Sequence, residues 1–202
     1  MAKQVLDIKV LSCGGMFDLM SEQEASFLTT SLGLFRNREQ QGKGLPRANV
    51  NLVRAYRASD FYRGFAGDED LLHLIAHTDK DSLKTGNHKS LVTASEVKRL
   101  GDRGELMAPS VIVSTGCNFR SSAWRDALKA TGVQVLIAAH QTVTPQCLTA
   151  FDMSFYSALL SCIRRGEGTI QRVRASFDLA QKHYEAIHAE GTPHARFVLE
   201  DL

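Results

Sequence analysis

Short apolar runs alternate with segments of helical periodicity along the whole chain. Strand-like runs lie at Gln4–Leu11, Val50–Tyr56, Asp70–Ala76, Val111–Thr115, Val133–Ala139 and Arg196–Leu199. Helical patterns lie at Glu22–Phe35, Ser59–Phe65, a segment that starts at Thr93 or Ser95, a segment from Ser121 or Ser122 to Thr131, Pro145–Arg165 and Thr169–Ala189. This alternation predicts an α/β fold, with a mostly parallel central sheet of about six strands and helices on both faces.

Local signals place the ends of the elements around the first and third strands. Ser21 is followed three residues later by Glu24, a capping-box pattern that predicts Ser21 as the N-cap of the first helix. The apolar run Asp70–Ala76 predicts a buried parallel strand that leads directly into His77. The following segment, 78–89, is polar and is predicted to be irregular.

Composition narrows the class of protein. The chain has 202 residues, 44% of them apolar, and a formal charge of +2, which fits one globular domain spanning residues 1–202. No apolar run approaches the roughly 20 residues of a membrane-spanning helix, and the N-terminus lacks the apolar stretch of a secretory signal. We therefore expect a cytoplasmic protein without a membrane partner.

The four cysteines and the charged residues exclude several kinds of site. None of the cysteines shows C-x-x-C spacing, so a zinc ribbon is excluded and reduced thiols are expected. Basic residues cluster between Arg36 and Arg63 and between Arg164 and Arg174. They come without interleaved aromatic residues or a phosphate-binding glycine loop, so they give no strong nucleic-acid signal.

Histidine and cysteine residues follow consecutive buried strands. His77 ends the third strand, Cys117 follows the fourth and His140 follows the fifth. Parallel strands end at one edge of a sheet, so an imidazole there can activate a thiol nucleophile. The helix that begins near Ser121 adds an N-terminus, which favours anions such as a thiolate.

Each of these residues also has a structural interpretation. A cysteine at a strand end is commonly a small buried apolar residue, and a histidine is commonly part of a hydrogen-bonded core. His73 and His77 would suit zinc only if their segment were a helix. Because the apolar run favours a strand, we expect no metal site and no cofactor.

Three segments together resemble a known family. They are His-Leu-Ile-Ala-His-Thr at 73–78, Val-Ile-Val-Ser-Thr-Gly-Cys-Asn at 111–118 and Gly-Val-Gln-Val-Leu-Ile-Ala-Ala at 132–139. They resemble the caspase-like (clan CD) cysteine peptidases, most closely the bacterial CHAT branch. Asp152–Leu160 and Gly168–Ala180 fit the last two helices of that pattern. The resemblance implies a caspase-like three-layer sandwich.

The resemblance also implies roles for individual residues. Cys117 corresponds to the nucleophile, His77 to the catalytic histidine and His73 to an earlier histidine of the same strand. The oxyanion hole would consist of the backbone N–H groups of Cys117 and Thr78. The family usually has glycine after the catalytic histidine, so Thr78 is a departure that would distort the site if a positive φ were required there.

Substrate and activation are predicted from the charged residues. Asp79 and Asp152 are candidates for an S1 pocket that holds a Lys or Arg side chain at P1, and the alternative is that such acids are solvated loop residues. Lys43 and Arg47 lie in the polar segment 39–47, a candidate site of activating cleavage. The expected partners are a protein or peptide substrate and an activating partner or small nucleotide.

Three functions remain open at this point. The first is a cysteine endopeptidase, regulated as an effector of a bacterial defence or cell-suicide system, as in CHAT-type proteins. The second is a catalytically impaired caspase-like module that binds a nucleotide signal or a partner protein. The third is a flavodoxin-like domain in which His77 and Cys117 lie far apart.

Overall fold

A computed structural model describes residues 5–14, 18–36, 47–86, 90–139, 144–161, 168–187 and 196–202. The strands are β1 (Val5–Ser12), β2 (Arg47–Arg54), β3 (Leu71–Ile75), β4 (His77–Thr78), β5 (Ser82–Thr85), β6 (Ser90–Thr93), β7 (Val111–Ser114), β8 (Val135–Ala139) and β9 (Phe197–Asp201). The helices are α1 (Leu19–Arg36), α2 (Ala58–Phe65), α3 (Ala94–Asp102), α4 (Ser122–Ala130), α5 (Pro145–Ser161) and α6 (Thr169–Ile187).

Six of the strands form the central sheet, in the order β2-β1-β3-β7-β8-β9. All neighbouring pairs are parallel except β8 and β9, so only the edge strand β9 runs antiparallel. Every residue of β3, β7 and β8 is buried. Continuous burial is typical of parallel strands covered on both faces, which explains their uninterrupted apolar sequences.

Two apolar layers sandwich this sheet. Helices α1, α5 and α6 cover one face, where they pack on residues such as Ile8 and Ile137. Helices α2, α3 and α4 cover the other face together with the small sheet β4-β5-β6, and they pack on residues such as Leu72 and Leu136. The sequence alternates along each strand between the two layers, as the period of two in a strand requires. The predicted α/β fold class, with about six mostly parallel strands and helices on both faces, is confirmed.

The structure differs from the sequence prediction near the first and third strands. Helix α1 begins at Leu19, earlier than predicted, so Ser21 is inside the helix and is not its N-cap. The carboxylate of Asp18 accepts the backbone N–H of Ser21 at 3.3 Å. Strand β3 ends at Ile75, so His77 belongs to the short strand β4 of the small sheet. In the polar segment 78–89, predicted to be irregular, the described residues include β5, which pairs with β4 in the antiparallel direction.

Some predictions fall outside the described residues. Lys43 and His140 lie there, and so does Cys162, whereas Arg47 is the first residue of β2. Within the described ranges, no helix combines the length and apolarity needed to cross a bilayer.

Two helical glycines make a matched test of the packing between α3 and α4. A Cβ on Gly101 would lie 2.7 Å from the backbone carbonyl of Ala130, whereas a Cβ on Gly33 would meet nothing within 4 Å. We expect Gly101→Ala to lower the free energy of unfolding by about 1–3 kcal/mol through overpacking. Gly33→Ala should raise it by about 0.5–1 kcal/mol because alanine favours the helix. Urea denaturation of both variants measures this, and equal effects would contradict the described packing of α3 on α4.

Candidate active site

The pairing of β3 with β7 brings the predicted histidine and cysteine segments together. Leu72 pairs with Ile112 and Leu74 with Ser114, in parallel. Thr115 continues the contact, since its backbone N–H donates to the carbonyl of Leu74 at 3.1 Å. After β3, the backbone leaves the sheet through Ala76 and enters β4. After β7 and Thr115, it enters the turn that carries Cys117.

The carboxylate of Asp18, the residue that precedes α1, holds His77. The imidazole is half exposed, and its Nε2 lies 2.8 Å from Oδ2 of Asp18. A nitrogen at this distance donates to a carboxylate in a charge-assisted hydrogen bond.

Asp18 joins the first turn of α1 to His77. Besides His77, it accepts the hydroxyl of Ser21 at 2.7 Å and the backbone N–H of Ser21 at 3.3 Å. Burial alone would raise the pKa of Asp18, but the two hydrogen bonds from Ser21 and the charge and hydrogen bond of His77 hold it below its ordinary value. Asp18 was not evident from the sequence because the pattern Ser21-x-x-Glu24 offered an equally good helix start.

Thr78 links the histidine strand to the cysteine turn. Its side chain is buried, and its Oγ1 donates to the backbone carbonyl of Cys117. Gly116 allows this approach, because a Cβ there would lie 2.7 Å from Thr78 Oγ1 and 3.1 Å from the carbonyl oxygen of Ala76.

The φ angles show that position 78 does not need a glycine. Among the described residues, the only non-glycine with positive φ is Asn118, at 59°, directly after Cys117. Thr78 therefore has an ordinary backbone conformation, which a β-branched residue adopts without strain. The left-handed residue of this site lies in the cysteine turn.

The turn after β4 is docked on helix α4. The indole Nε1 of Trp124 donates to the carbonyl of Asp79 at 3.2 Å, and the hydroxyl of Ser121 donates to the carbonyl of Lys80. Ser121 is also the N-cap of α4, since its Oγ accepts the backbone N–H of Trp124, and it is one of the two cap positions that the sequence offered, Ser121 or Ser122. The histidine segment is thereby fixed against the helix that follows Cys117.

Both predicted catalytic residues line one cavity of about 230 Å³. Its walls are Ser21, Gln23, Glu24, Phe27, Ile75, Ala76, His77, Thr115, Cys117, Leu148 and Thr149. Cys117 is a free thiol of intermediate exposure. An imidazole and a thiol on the wall of one small cavity are the groups that nucleophilic catalysis by cysteine requires.

The other described cysteines lie in different surroundings. Cys13 and Cys147 are free thiols, and both are buried. Burial raises the pKa of the Cys13 thiol far above its ordinary value, which keeps it protonated and unreactive. Accessibility therefore separates Cys117 from these two.

His73 lies beneath the cavity in a buried polar cluster. Its side chain is fully buried, with Nδ1 2.7 Å from the hydroxyl of Tyr156, Nε2 3.2 Å from Oε1 of Glu24 and Nε2 4.0 Å from Oδ2 of Asp152. Burial alone would lower the pKa of His73, but Asp152 and Glu24 raise it above the ordinary value. Burial raises the pKa of Asp152, partly opposed by His73, and it also raises that of Tyr156.

The acids expected near an S1 pocket have different positions. Asp79 is exposed and lies outside the cavity lining, and Asp152 is buried behind it. Glu24 is the acid on the cavity wall, with about 10% of its side chain exposed. Its position could not be predicted from the sequence, because the pattern Ser21-x-x-Glu24 predicts a capping-box role for Glu24.

Comparisons with solved structures give a likeness to a cysteine proteinase. No family model and no curated protein matches the sequence. The chain is similar to the crystal structure of the Arg-specific cysteine proteinase gingipain R, with 15% sequence identity and a TM-score of 0.47. The match covers 90% of this chain and 44% of the gingipain chain, so the present chain spans less than half of that protein.

The bridge between Asp18 and His77 predicts a pH dependence of stability. The folded-state pKa of Asp18 is depressed, so its contribution is present above the unfolded-state value near 3.8 and is lost as the pH falls through the folded value. We expect Asp18→Asn to be less stable than the parent protein at pH 6, with the difference shrinking as the pH falls below about 3.8. Denaturant unfolding at several pH values measures this, and Asp126→Asn, at an exposed position of α4, is the matched control. A constant difference across this range would contradict the bridge.

Proposed function

We propose that this protein is a cysteine endopeptidase in which Cys117 is the nucleophile and His77 the general acid–base. The observation that carries the proposal is that both side chains line one cavity, while Asp18 holds the imidazole and Thr78 holds the carbonyl of the cysteine turn. A nucleophile, a base and a group that orients the base form the general arrangement of covalent catalysis.

The proposed reaction proceeds in two stages. The imidazole of His77 takes the proton of the Cys117 thiol, Sγ bonds to the scissile carbonyl carbon, and the π electrons of the C=O bond move to its oxygen, which becomes negative. His77 then protonates the leaving nitrogen as the C–N bond breaks, which leaves a thioester and releases an amine. Water adds to the thioester with His77 as the base, and collapse releases the acid and restores the thiol.

The turn at Cys117 is the proposed site of oxyanion binding. The backbone N–H groups of Cys117 and Thr78 are the proposed donors. Thr78 supports this role because its hydroxyl ties β4 to the cysteine turn and keeps the two backbones adjacent. Donors fixed before the reaction stabilise the developing charge without reorganisation.

We propose that the enzyme prefers Lys or Arg at P1. Glu24 supports this preference because, among the described residues, it is the acidic residue that lines the cavity that contains Cys117. A carboxylate that faces a pocket of low polarity pairs favourably with an ammonium or guanidinium group.

The wider role is proposed from the sequence resemblance to CHAT-type peptidases. It is a regulated effector that cleaves proteins in the bacterial cytoplasm, in a defence or cell-suicide response. Activation would come from a partner protein, a small nucleotide or cleavage near Lys43 and Arg47, and an intact-mass measurement of active protein shows whether the chain is cut there.

Cleavage of fluorogenic peptides tests the activity and the P1 preference together. We expect peptides with Arg or Lys at P1 to be cleaved at least about 10-fold faster than peptides with Glu or Ala. Cys117→Ala and His77→Ala should each lower kcat/KM by more than about 10³-fold, since each removes a member of a cooperating pair.

Cys13→Ala is the matched cysteine control, and it should retain activity because that thiol is buried away from the cavity. A peptidyl acyloxymethyl ketone with Arg at P1 provides a readout that needs only one turnover. The probe should label the parent protein at Cys117. Binding of a nucleotide or partner without labelling or cleavage would instead favour the catalytically impaired module.

A further inference from the structure

A second group of chemically active side chains lies behind the cavity wall. Glu24 on α1, His73 on β3 and Asp152 on α5 each offer one ligand-type atom, and these atoms all lie within 4.8 Å of one another. The side chains of His73 and Asp152 are completely buried, and that of Glu24 is about 10% exposed. The proposed peptidase mechanism uses none of the three in bond making or breaking.

Asp152 is the residue that points to a ligand. Neither of its carboxylate oxygens has a hydrogen-bond partner among the described residues, although both are inaccessible to solvent. A buried carboxylate without hydrogen bonds carries a large desolvation cost. Nε2 of His73 lies 4.0 Å from Oδ2 of Asp152, which is too long for a hydrogen bond.

The histidine of this group is oriented as metal-binding histidines are. Nδ1 of His73 lies 2.7 Å from the hydroxyl of Tyr156, while Nε2 points toward the two carboxylates. Metal-bound histidines commonly engage their second nitrogen with such an outer partner, which fixes the ring orientation. Tyr156 therefore serves as that outer partner.

The distances suit a single ion after a small adjustment. Two ligand atoms bound at about 2.1 Å from one tetrahedral zinc ion lie about 3.4 Å apart. The separation of Glu24 Oε1 from His73 Nε2 is 3.2 Å, and that of Asp152 Oδ2 from the same nitrogen is 4.0 Å. Asp152 would have to approach His73 Nε2 by about 0.6 Å to reach this separation, and its distance from the Glu24 carboxylate, within 4.8 Å, would have to close as well.

We propose that Glu24, His73 and Asp152 bind a divalent transition-metal ion, for which Zn²⁺ is the probe. One imidazole and two carboxylates form a ligand set that Zn²⁺ accepts, and an ion there would neutralise the buried carboxylates. The ion would join α1, β3 and α5 directly beneath the cavity. Because Glu24 also lines the cavity, that cavity is the entry path.

The test must separate this site from the Cys117 thiol and the His77 imidazole, because Zn²⁺ accepts both of these ligand types. We therefore place every variant in a Cys117→Ala background. Titration calorimetry with Zn²⁺ should show one ion bound per chain, and thermal unfolding should shift upward by several degrees. The added substitution Asp152→Asn should weaken Zn²⁺ binding at least about 10-fold and abolish the shift.

Asp18→Asn in the same background is the matched control, because it disturbs the carboxylate beside His77 and leaves the buried group intact. It should bind Zn²⁺ as the parent does. If Asp152→Asn does not fold, Glu24→Gln takes its place. The proposal is overturned if no Zn²⁺ binds, or if binding survives Asp152→Asn and is lost with Asp18→Asn. Since every variant lacks Cys117, the result does not depend on peptidase activity.

Discussion

The parallel pairing of β3 with β7 is the constraint on which the candidate site depends. Because Leu72 lies beside Ile112, the segments that follow the two strands leave the sheet at the same edge. These short segments carry His77 and Cys117. The strands themselves are set by burial, since every residue of both is covered by helices on two faces. The apolar core therefore determines where the reactive groups meet.

Hydrogen bonds then hold the segments around His77 and Cys117 in place. Asp18 connects the start of α1 to His77, and Thr78 connects β4 to the cysteine turn. Trp124 and Ser121 anchor the next turn on α4. Elements from both layers thus contribute to one site, although each link is only a single hydrogen bond.

Much of this architecture follows from sequence periodicity. The buried strands and the caps of α3 and α4 were predictable because continuous apolar runs and Thr93 or Ser121 are strong local signals. The juxtaposition of His77 and Cys117 was predictable as well, since both follow buried strands.

The remaining features depend on tertiary packing. Asp18 was missed because Ser21 and Glu24 form an equally good local pattern, and only the docking of α1 on β3 turns Glu24 toward His73. The orientation of one helix face relative to a distant strand leaves no local trace in the sequence. The pairing of β4 with β5 could not be predicted either, because the segment after His77 is polar and lacks apolar alternation.

The central claim is that His77, held by Asp18, activates the thiol of Cys117. The most direct test is the rate of iodoacetamide alkylation at each cysteine at pH 7, read by peptide mapping, in the parent protein and in His77→Ala. The account predicts that Cys117 reacts fastest, that His77→Ala slows this reaction at least about 10-fold, and that Cys13 stays unmodified in both proteins. An unchanged rate at Cys117 in His77→Ala would contradict it.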